Sequence, residues 1–216
     1  MRDLAIVIPC RNESENIIHI LKKLKNNKLF LINDASTDEI KKIILPFKNI
    51  KLLNNLKRLG YEKSIIKGFS YIKKLNDTKL KYILTMDADG DHNPMYIKKI
   101  YKRIKYSNAD LVIGNRTKKN RKSEKYISDI FKKKFKFEDP YSGFKIYKKE
   151  KLFKTYKKCS KNYFLADLCL IFKKRNMIIS NINIPTKKNN LRKPRVNYQT
   201  ANKKILSIKK LLNNFL

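Results

Sequence analysis

Three aspartates occupy alternate positions in the stretch Leu84-Thr85-Met86-Asp87-Ala88-Asp89-Gly90-Asp91-His92-Asn93-Pro94. The apolar run just before them, Tyr82-Ile83-Leu84, reads as a buried strand. Gly90 permits a sharp bend, and Pro94 is suited to open the next helix. Carboxylates this close repel one another when ionised, so a strand end carrying three of them binds a cation or holds a proton. Mg2+ and Mn2+ are hard ions that accept carboxylate oxygens and bridge them to a substrate's phosphates. Asp87, Asp89 and Asp91 are therefore read as metal ligands in preference to a solvated acidic turn. The choice rests on composition: only 18 Asp and Glu face 53 Lys and Arg, giving a formal net charge of +35.

Such a charge attracts anionic partners: nucleic acid, a lipid headgroup surface or a phosphorylated substrate. Lys, Asn and Ile are all heavily used and share A/T-rich codons, which accounts for much of the lysine and makes the arginines the more informative cations. Nucleic acid is not expected. The chain has no zinc-finger or RNP-type pattern, and an acidic rim sits badly beside phosphates unless a metal lies between them. The 216 residues, 42% of them hydrophobic, suit one globular domain rather than a disordered chain. Cys10, Cys159 and Cys169 follow no metal spacing, and their odd number argues against a disulfide framework. Buried thiols in a reducing compartment are expected. Met1-Arg2-Asp3 leads straight into a strand pattern without a secretory leader, and no apolar run nears the ~20 residues of a spanning helix. The expected location is cytoplasmic, peripheral to a membrane.

The elements that must carry the aspartates alternate. Short apolar runs at Leu4–Ile8, Leu29–Ile32, Ile50–Leu53, Tyr82–Leu84 and Leu111–Ile113 read as strands, with amphipathic helical patterns between them. One such helix presents Ile17, Ile18, Leu21 and Leu24 and leaves His19 at the surface. Another begins near Asp38, with Ser36 or Thr37 as its expected cap. Gly60, Ser64 and Gly68, four residues apart, lay a smooth stripe along a third, where backbone or ligand can approach. Alternating strands and helices imply an α/β fold whose mostly parallel sheet binds ligands beyond the carboxyl ends of its strands. Those ends carry Arg11-Asn12-Glu13, Asn33-Asp34 and Asp87 to Asp91, gathering polar residues on one rim.

Pro9-Cys10-Arg11-Asn12-Glu13, Asp34-Ala35-Ser36-Thr37-Asp38 and Asp87-Ala88-Asp89, in this order, resemble the family 2 glycosyltransferases of GT-A fold. Val112-Ile113-Gly114-Asn115-Arg116 is similar to the VIGSR segment of the dolichol-phosphate mannose synthases and their polyprenyl-phosphate relatives. Asp139-Pro140-Tyr141-Ser142-Gly143-Phe144-Lys145 matches their D-x-x-S-G-F-[KR] motif. The resemblance runs from about residue 4 to residue 155 and continues more loosely beyond.

The resemblance implies a Rossmann-like, mostly parallel sheet flanked by helices, a single domain over residues 1–200 and an amphipathic C-terminal helix over 201–216. The activity it implies is inverting, metal-dependent transfer from a GDP- or UDP-sugar, with Mg2+ or Mn2+, to a polyprenyl phosphate. A saccharide hydroxyl is the alternative acceptor. By the same resemblance Pro9, Asn12 and Glu13, with Arg11 beside them, line the base and ribose pocket, and Asp34 lies near it. Gly60 and Lys63 belong to the substrate side. Asp87 and Asp89 place the metal on the diphosphate, and Asp91 stands where this branch often has glutamine. Arg116 contacts a phosphate, while Asp139, Ser142 and Gly143 shape the acceptor side. Asp89, Asp139 and Arg116 form the catalytic group, and Arg192 is the matching phosphate clamp in a basic loop. Asp167 replaces the family's usual glutamate, Asn183 replaces the acid of its E-V-P strand, and His92, placed where a metal or diphosphate contact is the alternative, is read as a loop histidine.

A longer membrane-resting insertion of the polyprenyl-phosphate branch is here compressed to Lys118–Lys136. Tyr126, Ile127, Ile130, Phe131 and Phe135 form one apolar face between its lysines. Ile205 to Leu212 is similarly amphipathic. Both faces suit an anionic leaflet or packing onto the domain.

Overall fold

The computed structural model describes residues 1–119, 122–159 and 163–185. The sheet has seven strands in the order β3-β2-β1-β4-β6-β5-β7. They are β1 (Leu4–Cys10), β2 (Lys28–Asn33), β3 (Ile50–Asn54), β4 (Tyr82–Thr85), β5 (Leu111–Arg116), β6 (Lys145–Lys148) and β7 (Ile179–Ile184). All neighbours run parallel except β6, which pairs antiparallel with β4 and β5, Leu84 opposite Ile146 and Val112 opposite Ile146.

Every residue of β1 is buried, as its unbroken apolar run requires of a strand covered on both faces. Alternation divides that run between two cores. Leu4, Ile6 and Ile8 join Ile17, Ile20 and Leu21 of α1 (Ser14–Lys23) and Ile97, Ile100 and Ile104 of α4 (Tyr96–Tyr106). Ala5 and Val7 join Ile65, Phe69 and Ile72 of α3 (Tyr61–Leu75) on the opposite face. His19 is exposed, as expected. Chain order is completed by α2 (Ile40–Ile44), α5 (Lys122–Phe135), α6 (Lys149–Thr155) and α7 (Phe164–Lys174). The three cysteines are free thiols, two of them buried.

Four expectations need correction. Gly60 is not part of a helical stripe. It precedes α3 with φ +89°, a conformation glycine tolerates at little cost. The stripe at Ser64 and Gly68 serves helix–sheet packing rather than a ligand: a Cβ at Gly68 would lie 2.7 Å from Val7 Cγ1. Second, α2 starts at Ile40 with no side-chain cap, because Ser36 and Thr37 are engaged with the loop after β1. Third, the apolar face of α5 is core and not a membrane surface. Ile127 and Phe131 are buried, and the rings of Phe131, Phe135 and Phe137 lie 5.3–6.1 Å apart. Only Tyr126 of that face stands exposed. An amphipathic pattern reports one dry side without saying what keeps it dry. Fourth, Pro94 lies two residues before α4 rather than opening it. Among the described residues no helix is long and apolar enough to cross a membrane. Arg192 and residues 201–216 lie outside the described residues.

Candidate active site

The rim at the carboxyl ends of β1 and β2 is a latch between two loops. Asn12 and Ala35 both adopt left-handed backbone, φ 52° and 53°. The Asn12 amide donates to Ser36 Oγ (3.2 Å), Thr37 N donates to Asn12 Oδ1 (2.9 Å), and Ser14 N donates to Asp38 Oδ2 (2.8 Å). Asn12 thus builds the rim through its own side chain. Pro9 is accommodated inside β1 by direction. The Val7 carbonyl faces β4, accepting from Met86 N, and the Cys10 carbonyl faces β2, accepting from Asp34 N. Pro9 therefore faces the β4 side, beyond Val7, the last residue paired there, where a missing N–H breaks no ladder. Beside it the Arg11 Nε is shielded from water without a hydrogen-bond partner, and buried Glu13 accepts from Asn16 Nδ2 at 2.9 Å.

Asp34 is buried and its carboxylate is already occupied by the chain. Oδ1 accepts from Leu59 N (2.7 Å) and Asn55 Nδ2 (2.8 Å), and Oδ2 from Gly60 N (2.9 Å). Burial by itself would raise its pKa, yet these bonds hold it below the ordinary carboxylate value. Its evident work is to fasten the turn that launches α3. Lys63, on the first turn of that helix, is exposed.

At the end of β4, Asp87 is gripped from two sides. The Tyr61 hydroxyl donates to its Oδ1, and its backbone N–H points to His92 Nδ1 at 3.5 Å, with that nitrogen 3.4 Å from Oδ2. Burial pushes the His92 pKa down. The ring lies 5.4 Å from that of Phe144, and Nε2 is buried without a partner. Gly90 bends the chain at φ +82°, and Asp91 N donates to Asp89 Oδ1 at 3.2 Å. Burial, with the charge of Asp87 adding to it, raises the Asp91 carboxyl. Among the described residues no three His, Cys, Asp or Glu side chains converge as a metal cage. The donor chemistry still fits Mg2+ or Mn2+ in the mode such ions favour, one or two carboxylates completed by phosphate oxygens and water.

The other half of the rim is built on an ion pair. Arg116, at the end of β5, forks onto Asp139 through Nε (2.8 Å) and Nη2 (2.9 Å), while its amide also donates to Asp139 (3.0 Å) and Nη1 lies 3.4 Å from Glu124. Burial opposes its charge, but these acids raise its pKa and keep it protonated. Burial likewise pushes the Asp139 carboxyl up, but the Arg116 bonds bring it below the ordinary value. Ser142 Oγ donates to Gly114 O (2.7 Å), Thr85 Oγ1 to Gly143 O (2.8 Å), and the buried Lys145 Nζ to the carbonyls of Pro140 (2.8 Å) and Ser142. Gly143 is required by contact. A Cβ there would collide with the Asp87 carboxylate and the Tyr61 hydroxyl. Asp167, in the first turn of α7, is buried, and Asn183 Oδ1 accepts from Asn115 Nδ2 at 2.9 Å.

Tyr61, Glu124 and Lys145 went unrecognised as site-building residues in the sequence, and His92 was read as a plain loop residue. For Tyr61 the sequence offered only its place directly after Gly60. Lys145 carried no such signal, since β6 has a lysine at each end and only the first is buried.

A mostly parallel α/β sheet with one antiparallel insertion, its ligand rim carrying aspartates after β4 and the Arg116–Asp139 pair after β5, is the GT-A arrangement. The glycosyl transferase family 2 profile matches residues 5–175, and the chain belongs to that family and is a glycosyltransferase. It is 34% identical over 164 residues to an uncharacterized protein of Methanocaldococcus jannaschii, covering 67% of this chain and 71% of that protein. It is 27% identical to the putative glycosyltransferase CsbB of Bacillus subtilis over 59% of this chain, a stretch that spans only 39% of that relative. In fold it is similar to glucosyl-3-phosphoglycerate synthase from Mycobacterium tuberculosis in complex with Mn2+, UDP and phosphoglyceric acid. The TM-score is 0.75 at 13% identity, covering 99% of this chain and 78% of that one.

Proposed function

We propose that the protein transfers a sugar, with inversion, from a nucleoside diphosphate sugar to a polyprenyl phosphate. The observation that carries this reading is the pairing of two half-sites on one rim. The carboxylates after β4 and the Arg116–Asp139 pair after β5 are bridged by the loop containing Gly143. Asp87 and Asp89 would hold Mg2+ or Mn2+, whose chemistry is to neutralise charge developing on the leaving diphosphate. The Mn2+ and UDP in the mycobacterial structure of like fold support a divalent ion and a nucleotide donor.

The state of Asp139 favours an acceptor that is already anionic. A saccharide hydroxyl needs a general base, but Asp139 is held ionised at low pKa with both oxygens on Arg116, a poor proton acceptor. A lipid phosphate needs none. The motif likeness to polyprenyl-phosphate enzymes supports the same acceptor. The net charge of +35 supports peripheral contact with an anionic leaflet on the cytoplasmic face.

The test is incubation with labelled UDP- and GDP-sugars, Mn2+ and a polyprenyl phosphate, followed by solvent extraction. Label is expected in the lipid phase, and Asp89→Ala should abolish it while the unfolding midpoint stays put. Label only in a water-soluble glycan would overturn the acceptor, and undiminished turnover by the variant would overturn the metal assignment.

A further inference from the structure

Asp34, Gly60, Tyr61, Asp87 and Gly143 form a continuous line of supports. Asp34 pins the amides of Leu59 and Gly60, which fixes where α3 begins. Tyr61 is the first residue of α3, and its ring packs against the core shared by Phe69 and Phe164. From there its hydroxyl reaches Asp87 Oδ1. The bond is possible only because residue 143 lacks a Cβ, and Thr85 Oγ1 holds the Gly143 carbonyl so that this gap stays in register. On the other side Asp87's own amide points to His92 Nδ1 at 3.5 Å.

We propose that Tyr61 is a positioning residue of the donor site: by occupying Oδ1 of Asp87 it commits Oδ2 to the divalent ion that carries the nucleotide diphosphate. The proposal rests on the donor reading given above. A hydroxyl bond to a ligating carboxylate fixes that carboxylate's orientation, and loss of such a support weakens metal affinity by about 10–100-fold.

The experiment is calorimetric titration of UDP and GDP, each with Mn2+ and with chelator, into wild type and Tyr61→Phe. Phenylalanine keeps the packed ring and removes only the hydroxyl. The Mn2+-dependent part of nucleotide affinity should fall about tenfold or more, with the metal-free affinity and the unfolding midpoint unchanged. In an Asp87→Asn background Tyr61→Phe should cost no further affinity. Unchanged Mn2+-dependent affinity, an equal loss in chelator, or a full additional loss in the Asp87→Asn background would each overturn the role. A collapse in stability of Tyr61→Phe would overturn it too, marking Tyr61 as a packing residue. If wild type itself binds neither nucleotide more tightly with Mn2+, the donor reading fails rather than the positioning role alone.

Discussion

Replacing Asp139 by Asn isolates the charge in the most densely bonded ion pair of the rim. Asp139 accepts three hydrogen bonds from Arg116, at 2.8, 2.9 and 3.0 Å, and its side chain is 2% exposed against 19% for the arginine. Breaking a buried pair by removing one charge costs about 3–5 kcal/mol, because the other charge stays buried. Asparagine keeps the shape and one acceptor oxygen, so the lower end, about 3 kcal/mol, is expected. For a chain of this size that corresponds to a fall of roughly 6–12 °C in midpoint. The pH dependence gives an independent check. The folded-state pKa of Asp139 is lowered, so its stabilisation is complete above the unfolded value near 4 and is lost as pH falls through the folded value. Urea unfolding at pH 7 should show the full deficit of Asp139→Asn, and the deficit should shrink as the pH drops below 4, where wild type loses the same charge. A variant within about 1 kcal/mol of wild type at pH 7 would place the pair among weakly coupled surface bridges. A deficit undiminished in acid would refute the assignment of the effect to charge.

Two further outcomes follow from the packing. Lys145→Met keeps length but leaves the buried carbonyls of Pro140 and Ser142 without their donor; at about 1–3 kcal/mol per orphaned group, urea unfolding should register a loss of about 2 kcal/mol or more. Gly68→Ala would gain about 1 kcal/mol of helix propensity, but its Cβ would sit 2.7 Å from Val7 Cγ1 and 3.0 Å from Ile32 Cδ1. Thermal unfolding should therefore show net destabilisation, since overpacking costs about 1–3 kcal/mol.

Strands buried on both faces were legible because their apolar runs have no other use: β1, β2 and β5 extend the runs read from sequence by only one to three residues. β6 was not, since Lys145-Ile146-Tyr147-Lys148 looks like a half-polar edge although the first lysine is wholly buried among carbonyls. The aspartates, Arg116 and the residue 139–143 loop were located by type and order. Their pairing was hidden, because Arg116 meets Asp139 and Asp34 meets Gly60 across sequence distances that periodicity does not encode. Asp34 shows the difference most plainly: as a turn-forming acid on the rim it suggested a ligand contact, while its oxygens are filled by backbone amides. The α5 face was legible only as a pattern, with its use left open, since core and membrane helices share it.

β6 lies between β4 and β5 and bonds to both, yet it follows both in the chain. During synthesis the facing edges of Tyr82–Thr85 and Leu111–Arg116 are made first and must wait for Lys145–Lys148 to emerge. At about 5–20 residues per second that wait lasts on the order of seconds. A nascent chain halted in this interval carries two apolar, unpaired strand edges, the template for sticking to a neighbour on the same polysome. The last wedge of the sheet thus sets how long those edges stay open, and a chain ending before residue 145 lacks the strand that joins β4 to β5.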